Sequence, residues 1–92
     1  MAPIRVMVVD DHSVVREGIR SVLGDPAAFE VVGEAASAAE AISRVRDWRP
    51  DVIVLDVAMP GGSGIHAVPE LLERAPKSHV LMLSVHEDAE YV

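Results

Sequence analysis

The chain has 92 residues, a net charge of −7, an apolar half and no cysteine. That length and apolar content suit one folded domain rather than a disordered segment, and the lack of cysteine excludes disulfides and thiolate metal sites. The acidic balance counts against nucleic-acid binding by these residues, which needs clustered Lys and Arg, while the lack of a membrane-span-length apolar run or a signal-peptide pattern points to a cytoplasmic domain with no membrane contact.

The first predicted element is a strand over "IRVMVV", Ile4 to Val9, which runs straight into Asp10 and Asp11. A helix follows over "SVVREGIRSVLG". Val15, Ile19, Val22 and Leu23 share its apolar stripe, Asp11 or Ser13 is the expected N-cap, and Gly24 is the stop. Gly18 costs that helix about 1 kcal/mol against alanine, which calls for a reason of packing or access. "FEVVGEA" is a shorter, more polar strand suited to a sheet edge, and "SAAEAISRVRDW" spaces Ala38, Ala41, Ile42 and Val45 as a helix.

After Pro50 comes "DVIVLD", a continuous apolar run of the kind buried on both faces, which ends in Asp56 and breaks at once into Met59, Pro60, Gly61 and Gly62. The next helix passes through Leu71 and Leu72 and ends at Pro76. Pro69 removes a backbone donor, so that helix is expected to start near Ala67 or Val68, or to kink. "HVLMLSV" closes the series as a strand. Trp48 and Met59 are read as packing residues. The order βαβαβαβ implies a parallel sheet with helices on both faces, because parallel neighbours require crossovers.

Sites in such sheets form beyond the carboxyl ends of the strands. Those ends carry Asp10, Asp11, Asp56 and Ser84. Three converging carboxylates repel one another unless a cation joins them, and Mg2+ suits carboxylates, a carbonyl, water and phosphate oxygens. The pattern points to metal-assisted phosphoryl transfer with a carboxylate as nucleophile.

The stretches "VMVVDDHSVVREGIRSVL" and "VVGEAASAAEAI…RPDVIVLDVAMPGGSG" resemble the receiver domain of two-component response regulators, in particular the NarL/FixJ group with its LuxR-type DNA-binding domain. The resemblance implies a flavodoxin-like, doubly wound sheet in the order 2-1-3-4. It implies that Asp56 accepts a phosphoryl group from a sensor histidine kinase, rather than acting as an enzyme on other molecules. Mg2+ would be held by Asp10, Asp11, Asp56 and the backbone carbonyl of Ala58, with Asp11 favoured over Asp10 as direct ligand. The Ser84 hydroxyl would sense the phosphate, and Met59, Pro60 and Gly64 match the loop after the acceptor.

Departures from that pattern set further expectations. The family's lysine at the end of a fifth strand has no counterpart. The single lysine, Lys77, precedes the fourth strand and lies about 23 Å from the carboxyl edge. The chain thus reads as residues 1–92 of a receiver without its fifth strand and last helix, the DNA-binding domain lying further along. "HVLMLSV" would then be an apolar outer edge, and self-association through it and residues 84–92 is expected.

Three other readings compete. A haloacid-dehalogenase-type phosphatase wants an acid two residues after its nucleophile, where this chain has Ala58 after Asp56 and His12 after Asp10. The others are a transition-metal centre using His12, His86 and a carboxylate, and an interaction module with vestigial acids.

Overall fold

A computed structural model of the chain describes residues 2–56 and 64–83. The elements run β1 (Ile4–Val9), α1 (Ser13–Val22), β2 (Phe29–Ala35), α2 (Ala38–Trp48), β3 (Val52–Asp56), α3 (Gly64–Arg74) and β4 (His79–Leu83). All strand pairs are parallel, in the order β2-β1-β3-β4. The flavodoxin-like, doubly wound arrangement is therefore present, and β2 lies at an edge as its polar pattern implied.

Alternation along the strands divides the core in two. Met7, Val9, Ile53 and Leu55 face α2 and α3, where they pack with Ala41, Val45, Ala67 and Leu71. Val6, Val8 and Val54 point to the other face, covered by Ile19 and Leu23 of the α1 region. Burial on both faces is why β1 and β3 read as unbroken apolar runs. Trp48 packs against the first of these clusters.

Helix α2 starts as its sequence demands. Ser37 Oγ accepts a hydrogen bond from the Glu40 backbone N–H at 3.1 Å, while Glu40 Oε1 accepts one from Ala36 N–H at 2.9 Å. This is a variant of the reciprocal capping box. Its C-cap, Arg49, is left-handed with φ 47°. The Trp48 and Arg49 carbonyls there accept hydrogen bonds from the Arg5 guanidinium at 2.7 and 3.1 Å.

Three local expectations are corrected. Neither Asp11 nor Ser13 caps α1. The N-cap is His12, whose side chain makes no cap hydrogen bond. The reason is a turn one residue earlier: Asp10 Oδ1 accepts the His12 backbone N–H at 2.8 Å and so aims the chain into the helix. Val22 does not join the buried stripe and is 85% exposed, because Ile19 and Leu23 already fill the α1 side of the sheet. Helix α3 begins at Gly64, before Ala67, and continues through Pro69. Among the described residues, a methyl at Gly18 would touch nothing within 4 Å, so the expected packing reason is not found there. Ala58, Met59, Pro60, Ser84, His86 and the expected association segment 84–92 lie outside the described residues.

Candidate metal centre

Register builds the site. Val9 of β1 lies opposite Leu55 of β3, so the next residues, Asp10 and Asp56, leave neighbouring parallel strands at the same level. Strands about 4.8 Å apart then hold the two carboxyls within reach of one cation. Asp10 is also tied to β2 by its N–H, which donates to the Ala35 carbonyl at 3.0 Å. Both are buried, Asp10 at 1% and Asp56 at 5% exposure. Asp11 and His12 complete a group whose ligand atoms all lie within 4.8 Å of one another. The sequence-level grouping of Asp10, Asp11 and Asp56 is thus present in space.

The donor set fits a hard divalent cation. Asp11 Oδ1 is buried yet accepts no hydrogen bond among the described residues. The nearest positive group is the His12 imidazole, whose Nδ1 lies 3.0 Å away as an ion-pair contact. A buried carboxylate oxygen in that position is costly unless a cation meets it.

His12 lies against both acids of the pair. Its Nδ1 is 3.2 Å from Asp10 Oδ1 and 3.0 Å from Asp11 Oδ1. These contacts raise its pKa above 6.5. The hydrogen bond to Asp10 is the largest cause, followed by the charge of Asp11, and the charges of Asp10 and Asp56 add to it against desolvation. A raised folded-state pKa means that protonated His12 supports the fold fully below pH 6.5, and that this support disappears as pH rises through the folded pKa. In a proton NMR titration with chelator present, the His12 ring is expected to titrate with a midpoint above 6.5. A midpoint at or below that value contradicts the contact.

Sequence reasoning missed a second layer. Arg16 donates from Nη1 to the Asp10 carbonyl at 2.7 Å and from Nε to Glu34 Oε1 at 3.0 Å. Arg20 Nη1 sits 3.1 Å from Glu34 Oε2. This network fastens α1 and β2 to the end of β1 just where Asp10 turns. The available signal was a second acid, Glu34, at the end of β2 that leads toward the acidic edge. Arg16→Ala is expected to cost about 1–3 kcal/mol in urea unfolding, with Arg16→Lys recovering only part, because a compact ammonium lacks the planar fork that reaches both acceptors. A loss under about 0.5 kcal/mol in Arg16→Ala contradicts the role.

Two cavities of about 420 Å³ each lie elsewhere, one by Arg49, Asp51 and Ala75 and the other by Leu23, Phe29 and Val31. Neither is lined by Asp10, Asp11 or Asp56. The acidic group sits on an open sheet edge, where sites form in doubly wound folds.

An acidic centre at the carboxyl edge of a 2-1-3-4 parallel sheet is the arrangement of a receiver-type α/β domain. The chain belongs to the response regulator receiver domain family, whose model matches residues 6–92. It is 47% identical over 87 residues to the DNA-binding transcriptional activator DevR/DosR of Mycobacterium tuberculosis, covering 95% of this chain and 40% of that protein. It is 38% identical over 89 residues to the transcriptional regulatory protein DegU of Brevibacillus brevis, covering 97% of this chain and 38% of that one.

Among solved structures, a LuxR-family two-component response regulator from Aurantimonas sp. SI85-9A1 superposes with a TM-score of 0.83 at 35% identity, over 97% of this chain and 64% of the other. The signal receiver domain of the response regulator NarL from Mycobacterium tuberculosis gives 0.83 at 34%, over 100% and 74%. The chain spans about two fifths of the length of the curated relatives it matches. This family assignment decides against the phosphatase reading. Among the described residues, no helix is long and apolar enough to cross a membrane.

Proposed function

We propose that the chain is the phosphoacceptor of a cytoplasmic two-component pathway, with Asp56 as the residue modified. The convergence of Asp10, Asp11 and Asp56 ligand atoms within 4.8 Å, on a receiver fold, carries this reading. A carboxylate oxygen of Asp56 attacks the phosphorus of a phosphohistidine on a sensor histidine kinase. The P–N bond breaks, its electron pair stays on the imidazole nitrogen, and that nitrogen takes up a proton. The product is an aspartyl phosphate.

Asp10, Asp11, Asp56 and the Ala58 carbonyl would hold Mg2+, which when bound offsets charge on the transferring group. Asp11 is assigned as the direct ligand of the acidic pair, and Asp10 acts mainly through charge and bound water. Ser84 would place its hydroxyl on the phosphate and so register the modified state. By similarity to DevR/DosR and DegU, the longer protein would regulate transcription through a LuxR-type DNA-binding domain beyond residue 92.

Mass spectrometry after exposure to acetyl phosphate and Mg2+ tests the reading. One phosphoryl group, labile to hydroxylamine and mapped to the peptide containing Asp56, is expected. No incorporation, or incorporation on another peptide, overturns it.

Self-association through β4 and residues 84–92 belongs to the same proposal. Leu81 and Met82 are 58% and 39% exposed on a strand that is outermost among those described, an arrangement that favours pairing with a second chain. Light scattering over a dilution series is expected to show a symmetric dimer or larger species. A monomer at high micromolar concentration contradicts it.

A further inference from the structure

We propose that the cavity at the amino edge of the sheet binds a nucleotide, with its phosphates on a basic rim and its base against two prolines. This cavity lies before the starts of β3 and β4, at the opposite end of the strands from the acidic centre. It rests on no reading of that centre.

Charge is the first observation. The chain has eight Lys and Arg within a net charge of −7, and four of the eight line this one cavity: Arg46, Arg49, Arg74 and Lys77. Asp51 is the single acid among the lining residues. Helix carboxyl ends attract cations, which accounts for Arg46 and Arg74 in the last turns of α2 and α3. Arg49 and Lys77 lie past those turns, on the segments that lead into β3 and β4. They are surplus positive charge.

Little inside the chain uses that charge. Among the described residues Arg46, Arg49 and Lys77 form no ion pair, and Arg74 has only the exposed one with Glu70 at 3.2 Å. Arg49 is moreover held at φ 47°, a left-handed cap position that glycine or asparagine takes more readily. An arginine kept there points to a use for its side chain.

Hydrogen bonds hold the walls in place. The buried Ser78 Oγ donates to the Pro50 carbonyl at 2.6 Å, which ties the loop after α2 to the loop after α3. His79 N–H donates to the Asp51 carbonyl at 2.9 Å, and Asp51 N–H to the Arg5 carbonyl at 2.7 Å. Pro50 and Pro76 fix φ in both loops. A ligand therefore meets walls already ordered, which lowers the cost of binding.

Size and lining decide the ligand. A volume of about 420 Å³ suits a small organic molecule and exceeds the needs of a lone phosphate. Val45, Pro50, Ala75 and Pro76 give an apolar wall for a flat ring. Guanidinium forks take phosphate oxygens in pairs, and an ammonium adds a point charge. A body with a heteroaromatic ring and two phosphates meets both demands. The exposed Asp51 supplies an acceptor for a ribose hydroxyl.

The test is fluorescence titration of the 92-residue chain with N-methylanthraniloyl-ADP in EDTA, so that no Mg2+ links the phosphates to the acidic centre. Trp48, the single tryptophan, precedes Arg49 at the end of α2 and should transfer its excitation to the bound probe. Saturable binding with a Kd below about 1 mM is expected. Unlabelled ADP should displace the probe, and inorganic pyrophosphate should compete about threefold less well or worse, for want of the ring. Arg49→Gly suits the left-handed backbone and removes only the side chain, while Lys77→Gln removes an exposed charge. Each should weaken ADP by about threefold or more, and the pair by about tenfold. Arg44→Gln, at an exposed cation of α2 outside the cavity, should change it by less than about twofold.

Absence of saturable binding overturns the proposal. So does weakening by Arg44→Gln equal to that by Arg49→Gly and Lys77→Gln, which marks unspecific attraction to positive charge. A hexaglutamate peptide that displaces the probe better than ADP also overturns it, and assigns the basic rim to an acidic protein partner instead.

Discussion

Replacing Asp56 by asparagine is expected to abolish phosphoryl incorporation from acetyl phosphate while leaving the domain folded. The amide is nearly the same size as the carboxylate, but it is not a nucleophile towards phosphorus. Asp56 is 5% exposed at the end of a buried strand, so the sheet fixes its position. Mg2+ affinity should fall by about tenfold or more, because one charged oxygen ligand of a small, hard ion is lost.

Stability without Mg2+ is expected to move the other way. Two carboxylates at the spacing seen here repel by an amount of order 3 kcal/mol at an effective dielectric of 20. Removing one charge relieves part of that, so the melting temperature in chelator should stay level or rise. This pairing separates loss of chemistry from loss of fold. Retained phosphorylation in Asp56→Asn rejects the assignment of the acceptor, and a lower melting temperature in chelator rejects the account of the charge cluster.

The second large effect is on stability, at Gly33. A Cβ built on this residue falls well inside contact distance of Cδ2, Cε3 and Cζ3 of the Trp48 ring. The indole at the end of α2 lies directly against the β2 backbone and leaves no room for a methyl group. Trp48 cannot swing away freely. Its own carbonyl accepts Arg5 Nη2 at 2.7 Å, and the following residue is the left-handed Arg49.

Gly33→Ala should therefore cost about 1–3 kcal/mol, the usual range for overpacking. In a domain of this size each kcal/mol lowers the melting temperature by about 4–8 °C. Trp48 is the single tryptophan, so its fluorescence should report the displacement directly. Trp48→Leu in the Gly33→Ala background should recover part of the loss, giving a favourable coupling in a double-mutant cycle. A cost below about 0.5 kcal/mol, or independent effects of the two changes, contradicts the contact.

What the chain determines locally is considerable. The bounds of β1 and β2 were legible, as was the end of β3 at Asp56, because apolar runs and turn residues are properties of neighbours in sequence. Alternation and the crossover rule imply the parallel sheet, the family resemblance implies its order 2-1-3-4, and the strand ends point to Asp10, Asp11 and Asp56.

Tertiary structure alone decided the rest, and register is the common reason. Between Val6 and Met7 the pairing with β2 slips by one residue, so Val8 meets Glu34 and Val9 meets Ala35. That slip gives Glu34 its level beside Arg16 and sets Gly33 under Trp48, neither of which any periodicity could disclose. On the other side of β1, the pairing of Val9 with Leu55 makes Asp10 and Asp56 level neighbours. A shift of one residue would have sent their side chains to opposite faces. His12 stands beside Asp10 and Asp11 through a local turn made by Asp10, and only the arrival of Asp56 on β3 makes that run of three part of one centre.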